Sequence, residues 1–420
     1  MSNSHNPEDT ILVVGAGIVG SALAYFLSLP DADANTKRSK IIVFDRSLDP
    51  LVGSTGHAPG FIGQFNQSAA LTQLAVDSVA EYAKIPGGFD SVGGLEIATS
   101  AEAVKKLESR LKTAVGLGLP AEMITMQRAA ELAPKLVKPS NEGAALHFPT
   151  DGTADAGRIT SYYREEAQKQ GVQFVQGEVV ELLTANGRAT GVVVPTPSSD
   201  QSAPPVDKTF LANKVAITTG IWAQDLLDRD VVGYPVPVVP VAHPYAYSQP
   251  KEPSKSKMPF VRWPEHHVYA RDHGDRYGLG TYDHKATTYT PENDTAIGDW
   301  LDNFDVPLES AKELLPASTS ALFTPASKKF NGIFSMTPDN MPIICETALV
   351  SGLFMAVAVW VTHAAGTAKY LAKVIQGAPD LGDKYFDVWD STNPSRFNGK
   401  TYKDLEERCL RGYNNIYATK

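Results

Sequence analysis

The sequence predicts an α/β (α+β) protein: a discontinuous, doubly wound domain of parallel strands and helices, with an inserted antiparallel-sheet domain. Three observations predict it. Near the N-terminus a buried-strand run leads straight into a glycine turn and a helix. Buried-strand texture returns in the middle and near the end of the chain. Between these lie segments in which prolines, aromatics and short β-branched runs alternate. At roughly 100–200 residues per domain, a chain of 420 residues holds two or three. The expected division gives 8–95, 150–233 and 331–420 to the parallel domain, and 96–149 with 234–330 to the inserted one.

Ile11-Leu12-Val13-Val14 is uniformly apolar and mostly β-branched, as a strand covered on both faces requires. Residues 21–29, rich in Ala and Leu, predict a helix. Residues 40–44 predict a second buried strand, which ends in Asp45-Arg46. Residues 159–170 have amphipathic helical spacing. Residues 172–181 read as a strand, with 188–194 as its hairpin-like partner across Ala185-Asn186-Gly187. The Pro/Ser-rich stretch 195–207 is an expected surface loop. Residues 214–220 form another buried strand ending at a glycine. Residues 234–289 predict an antiparallel sheet interrupted by a loop at 249–258. Residues 364–376 predict a helix.

With 43% hydrophobic and 20% charged residues, the composition is that of an ordinary globular protein. A net charge of -9 argues against a nucleic-acid partner, which selects a basic face. No apolar run approaches the roughly 18 residues of a membrane span; the longest lies at 352–361. Residues 1–10 are polar and lack the apolar core of a secretory signal. Two cysteines, Cys345 and Cys409, make no disulfide framework, and no metal-ligand spacing occurs. The expectation is a cytoplasmic protein without a metal site and with no membrane partner.

The segment Gly15-Ala16-Gly17-Ile18-Val19-Gly20 follows a strand and opens a helix, the context of a Rossmann-like dinucleotide site. The first glycine allows the tight turn, the second admits a pyrophosphate to the backbone, and the third lets helix pack on strand. The helix N-terminus then turns free N–H groups toward the phosphates. Asp45 ends the second strand, where a carboxylate accepts ribose hydroxyls. This motif leaves FAD and NAD both open, and its acid disfavours NADP.

Shortly after Asp45 comes Gly53-Ser54-Thr55-Gly56-His57-Ala58-Pro59-Gly60, a loop of small residues holding one histidine. Such residues let backbone lie flat against a planar ligand, and Ser54 and Thr55 can donate to phosphate or ring oxygens. With this loop, Gly15 to Gly20, Phe148 to Gly152, Ala216 to Trp222, Val238 to Tyr245, Tyr269 to His284, Phe334 to Pro342 and Trp360-Val361-Thr362-His363, the chain resembles the D-amino-acid-oxidase-like flavoprotein superfamily. Within it the chain is most similar to the dimethylglycine oxidase, dimethylglycine dehydrogenase and sarcosine dehydrogenase group.

The resemblance implies an FAD-binding domain with an inserted substrate domain. It implies FAD bonded covalently through His57. It adds Arg46, Val179, Thr219, Gly220, Trp222, Trp360, Val361, Thr362 and His363 to the cofactor contacts, and places His243 and Tyr269 in the substrate cavity. Histidine titrates near neutrality and can take the proton a bound ammonium must lose before hydride leaves its carbon. A tyrosine hydroxyl can position the amine. N–H groups opening the helix at Ala364-Ala365-Gly366 are expected to face negative charge on reduced flavin. A substrate carboxylate calls for a cation, with Arg262, Arg271, Arg276 and Lys285 as candidates. Tyr282 and His284 either line the pocket or pack, and His266-His267 reads as a surface turn.

The implied reaction is FAD-dependent oxidation of the C–N bond of an N-methylated amino acid, with oxygen or an electron-transfer protein as oxidant. Many members of the group carry a folate-binding second half. The sequence ends soon after Tyr417, so the imine is expected to hydrolyse to formaldehyde. Two other readings stand: a flavin amine or imino-acid oxidase with a different substrate, and a flavin-binding protein without turnover.

Overall fold

Thr10–Val14 is buried along its whole length, which places it inside a sheet rather than at an edge. It runs parallel to Lys40–Asp45 on one side and Lys214–Ile217 on the other, with Val14 opposite Phe44 and Ile217. The sheet has six strands, in the order Ile343–Glu346, Leu353–Val357, Lys214–Ile217, Thr10–Val14, Lys40–Asp45, Gln173–Gln176. The first of these runs antiparallel to its neighbour. The computed structural model describes residues 10–30, 39–196, 205–227, 229–254, 256–290, 294–378 and 385–417.

Helices Ile18–Ser28, Ala156–Lys169 and Ala364–Ile375 share one apolar cluster with Val13, Val43 and Ala216 and cover one face of this sheet. Ala156–Lys169 buries Ala156, Ile159, Thr160, Tyr163 and Ala167, a single stripe at helical spacing. Asp155 caps it by accepting from Arg158 N at 2.8 Å. A three-stranded antiparallel sheet of Glu181–Ala185, Arg188–Thr196 and Val206–Leu211 covers the other face.

The expected single strand over 172–181 is two. Gln173–Gln176 stays in the parallel sheet, Gly177 N turns onto Asp45 O at 2.8 Å, and Glu181–Ala185 begins the hairpin. Asn186 and Gly187, at φ 51 and 69, make its turn. Of the expected loop 195–207, residues 197–204 lie outside the described residues. Its ends are strand, with Pro195 opposite Asp207 and Thr196 opposite Val206.

A nine-stranded sheet runs Ile297–Gly298, Lys328–Met336, Val239–Tyr247, Tyr277–Thr281, Val268–Asp272, Phe260–Trp263, Gly94–Ala98, Ala144–Phe148, Glu122–Ile124. Neighbours are antiparallel except Phe260–Trp263 beside Gly94–Ala98. The expected boundaries at 95/96 and 330/331 fall inside its strands Gly94–Ala98 and Lys328–Met336. The helix Tyr402–Asn414, which the sequence reading did not pick out, lays Leu405, Cys409 and Tyr413 inward, and it contacts Val239–Tyr247 and Lys328–Met336. Both cysteines are buried and free.

Candidate active site

The glycine turn closes at the carboxyl ends of the parallel strands. Gly15 has φ 99, and a side chain at Gly20 would put its Cβ 1.8 Å from Gly15 O. Gly15 N donates to Phe44 O at 2.7 Å. Asp45 spends both oxygens on backbone, Oδ2 accepting from Ala16 N at 2.6 Å and Oδ1 from Ser47 N at 3.0 Å. Thr55 Oγ1 accepts from Ile18 N at 3.1 Å, at the start of the helix Ile18–Ser28.

Arg46 pairs with Glu178 at 3.2 Å and Asp294 at 2.7 Å, and its guanidinium lies 4.8 Å from the Trp222 ring centre. Gly220 has φ 58, and the buried Thr219 Oγ1 has no partner among the described residues. Val19 and Val179 pack in apolar clusters on opposite faces of the parallel sheet.

A cavity of about 1030 Å³ brings together the predicted residues Ile18, Ser54, Thr55, His57, Ala58, Pro59, Gly60, His243, Tyr269, Trp360, Val361, Thr362 and His363. Gly15, Ala16, Gly17, Val19, Gly20, Asp45, Arg46, Val179, Thr219, Gly220 and Trp222 are not on its wall. The Ser54–His57 segment is one 3₁₀ turn. His57 hydrogen-bonds the Val52 backbone, and burial holds its pKa below the usual value, so the ring is neutral. Its Nε2 is shut off from water and has no hydrogen-bond partner among the described residues. Arg271 pins the loop, its Nη1 donating to Pro59 O at 2.7 Å and Gly60 O at 3.2 Å.

On the facing segment, Trp360 Nε1 donates to Ser335 O at 3.3 Å and Thr362 Oγ1 to Phe61 O at 3.1 Å. Burial pushes the His363 pKa down to about 4. Two of the expected free N–H groups of the helix Ala364–Ile375 are taken within the protein. Ala365 N donates to Tyr82 Oη at 3.3 Å and Gly366 N to Ser78 Oγ at 2.9 Å.

His243 is held from all sides. Its backbone N donates to Asn331 Oδ1 at 2.9 Å. Its Nε2 meets Tyr269 Oη and its Nδ1 meets Tyr413 Oη. The Tyr282 and Phe334 rings stand 4.7 Å away, centre to centre. Burial holds the imidazole well below its usual pKa and the Tyr269 phenol well above its own. Tyr282 lines the cavity. His284 does not; it sits behind, with its Nε2 2.7 Å from Tyr413 Oη.

The four candidate cations separate. Arg271 serves the loop, Arg276 pairs with Asp275 at 2.7 Å, and Lys285 is exposed. Arg262 is on the cavity wall, and its Nε is buried without a hydrogen-bond partner among the described residues. Among the described residues no carboxylate forms an ion pair with it. Gly63 makes the room, since a Cβ there would lie 2.6 Å from Arg262 Nη1. Nearby, Glu96 is occupied by Arg110 in a two-pronged pair at 2.7 and 2.7 Å. Burial pushes the pKa of Asp151 up to about 7, against the pull of Gln64 N–H and Arg262.

Tyr413 and, on the cavity wall, Tyr417 and the Glu96–Arg110 pair were not among the site residues that the sequence singled out. The one available signal was the stripe Leu405, Cys409, Tyr413, which marks a buried helix face without saying what it faces. His266 and His267 form a turn, as expected, with His267 at φ 56.

A glycine turn under a helix, a carboxylate on the adjoining strand and a cavity walled by titratable rings define a dinucleotide-dependent oxidoreductase. Residues 10–374 match the DAO family, described as FAD dependent oxidoreductase, and the chain belongs to that family. The family makes it an FAD-dependent oxidoreductase. The unpartnered Thr219 Oγ1 and His57 Nε2 are donor and acceptor positions that suit such a cofactor.

The chain is 26% identical over 437 residues to 4-methylaminobutanoate oxidase (formaldehyde-forming) of Paenarthrobacter nicotinovorans, a match covering 99% of this chain and 50% of that protein. It therefore spans half the length of that relative. Glycine oxidase of Geobacillus kaustophilus is 24% identical over 370 residues, covering 82% of this chain and 86% of that one. The crystal structure of L-proline dehydrogenase from P. horikoshii superposes with a TM-score of 0.77 at 21% identity, over 94% of this chain and 100% of that chain. Among the described residues no helix is long and apolar enough to cross a membrane, and no cluster of three metal-ligating side chains occurs.

Proposed function

We propose that this chain oxidises the C–N bond of a small N-methylated amino acid of the dimethylglycine or sarcosine kind, and that the resulting imine hydrolyses to release formaldehyde. The observation that carries the reading is Arg262, a guanidinium on the cavity wall with a dry, unpartnered Nε and no carboxylate pair among the described residues. Glu96 and Asp151 act on it without pairing and Tyr417 hydrogen-bonds it, which leaves a fork that the carboxylate of an amino acid matches. Tyr269 and His243 on the same wall supply the group that receives the ammonium proton. Bound FAD supplies the acceptor for the hydride. The printed name of the 4-methylaminobutanoate oxidase adds support for an N-methyl substrate.

The reading extends to a covalent bond between FAD and His57. A neutral ring with its Nε2 free and facing no protein partner is the nucleophile such a bond needs. Oxygen or an electron-transfer protein then serves as the final oxidant.

The test is anaerobic bleaching of the flavin by sarcosine, dimethylglycine, 4-methylaminobutanoate, glycine and proline, with formaldehyde assayed after turnover. Bleaching by N-methyl amino acids with one formaldehyde per turnover supports the proposal. Bleaching by glycine or proline alone, without formaldehyde, overturns it.

A further inference from the structure

Tyr269 and His243 on the cavity wall continue behind it into two rings that the assignment above does not use, Tyr413 and His284. Tyr269 Oη meets His243 Nε2, His243 Nδ1 meets Tyr413 Oη, and Tyr413 Oη meets His284 Nε2 at 2.7 Å. His284 Nδ1 ends the chain on Lys285 O at 3.0 Å. His243 and Tyr269 come from strands of the antiparallel sheet, and His284 from the segment that follows its strand Tyr277–Thr281. Tyr413 comes from the helix Tyr402–Asn414.

The last link fixes the polarity of all the others. A backbone carbonyl only accepts, so His284 Nδ1 carries its hydrogen. In a neutral ring His284 Nε2 must then accept, and Tyr413 donates to it. The Tyr413 oxygen is left to accept from His243 Nδ1–H. His243 Nε2 then accepts from Tyr269 O–H. Burial favours the neutral form of both imidazoles, which is what this ordering needs. Tyr269 thus presents a lone pair, not its hydrogen, to whatever fills the cavity.

We propose that Tyr413 and His284 are positioning residues that complete a proton relay from the substrate ammonium, through Tyr269 and His243, to His284. This rests on the amine-oxidation reading above. The substrate N–H proton passes to Tyr269 Oη as the Tyr269 proton passes to His243 Nε2. The His243 Nδ1 proton passes to Tyr413 Oη, and the Tyr413 proton to His284 Nε2. Each tyrosine oxygen gains one proton and loses one, the His243 ring gains one at Nε2 and loses one at Nδ1, and His284 keeps the one it gains. The net change is a neutral amine in the cavity and an imidazolium at His284, with no electrons moved.

The surroundings favour that end of the chain. His243 is 2% exposed and faces Tyr269, Tyr282, Phe334, Tyr413 and the amide of Asn331. His284 is 7% exposed, faces Phe304 and Tyr413, and adjoins the carboxylate of Asp283, which raises its proton affinity. Lys285, the next residue, is exposed. Asn414 holds the segment by donating to His284 O at 2.7 Å and Tyr282 O at 2.8 Å.

The experiment is rapid-mixing flavin reduction of the holoenzyme across pH, using the N-methyl amino acid that bleaches wild type fastest. Tyr413→Phe is expected to slow reduction roughly 100-fold at pH 7, the lower end of what a positioned acid–base system contributes. The wild-type rate should return above about pH 10, where an alkylammonium enters already neutral. His284→Asn should give the same profile, and it decides the matter if Tyr413→Phe fails to hold FAD. No loss, or an equal loss at every pH, overturns the relay. Nitrogen-15 spectra of histidine-labelled protein read the polarity without turnover: both His243 and His284 should be Nδ1–H tautomers, and Nε2–H at either overturns it. A wild type that no amine bleaches would sink the proposed function separately, leaving the tautomers to judge the chain of rings.

Discussion

Replacing Arg262 with methionine isolates the carboxylate seat. Methionine keeps most of the side-chain length and removes the charge. Glu96 does not become an orphan, because Arg110 already grips both its oxygens at 2.7 Å. Asp151 loses a cation that holds its pKa down, and with burial already lifting that pKa to about 7, it takes up a proton. The fold therefore tolerates the change, and the loss falls on the ligand. A buried charge-assisted pair contributes about 1.5–3 kcal/mol per hydrogen bond. Taking about 3 kcal/mol for the lost fork, the Kd of an N-methyl amino acid should rise roughly 100-fold, at about 1.4 kcal/mol per tenfold. The assay is the substrate dependence of anaerobic flavin reduction, run in parallel with the amide of the same substrate. Wild type should prefer the acid by about that factor, and Arg262→Met should bind acid and amide alike. An acid-to-amide ratio unchanged by the substitution would place the carboxylate elsewhere.

Three further outcomes are expected. His57→Ala should leave FAD in the supernatant after acid precipitation, and wild type should carry its yellow colour in the pellet; colour in the variant's pellet would refute the covalent assignment. Gly20→Ala forces a Cβ to within 1.8 Å of Gly15 O, so it should lower stability by about 1–3 kcal/mol and weaken FAD binding, both readable by thermal melts with and without added FAD. Asp151 has its folded pKa raised from 3.8 to about 7, so the folded state binds its proton more tightly than the unfolded chain does. Its contribution to stability is thus present below about pH 4 and lost as pH rises to about 7. Asp151→Asn should flatten that part of the denaturation profile, and an unaltered slope would contradict the burial argument.

What the sequence disclosed was local. The strand before Gly15, the helix after Gly17 and the acid at 45 interact across a few dozen residues, and each has its own steric or charge signature. The His57 loop was visible through its run of small residues. Tyr413 was not, since it reaches His243 from 170 positions away, and no spacing rule spans that distance. The four candidate cations near residue 270 looked equivalent in sequence. They differ only in what each touches, and only the fold distinguishes Arg271 on the Pro59 carbonyl from Arg262 at the wall. The merged strand at 172–181 failed for a related reason. Both halves have strand texture, and the change of sheet at Gly177 depends on a contact with Asp45 O. Local composition also gave no reason for the helix N–H groups at Ala365 and Gly366 to be claimed by Tyr82 and Ser78.

The placement of Thr10–Val14 at the centre of its sheet bears on biosynthesis. The strand is made before both of its flanking strands, and one of them, Lys214–Ile217, arrives much later; Thr218 and Val14, which share a hydrogen bond, are 204 residues apart. At about 5–20 residues per second, one edge of the nascent βαβ unit waits roughly 10–40 s for its partner. During that wait an apolar, unpaired backbone edge is on offer to any other chain nearby. Yield in a heterologous host should therefore depend on chaperone supply and translation rate more than on the melting temperature of the finished protein.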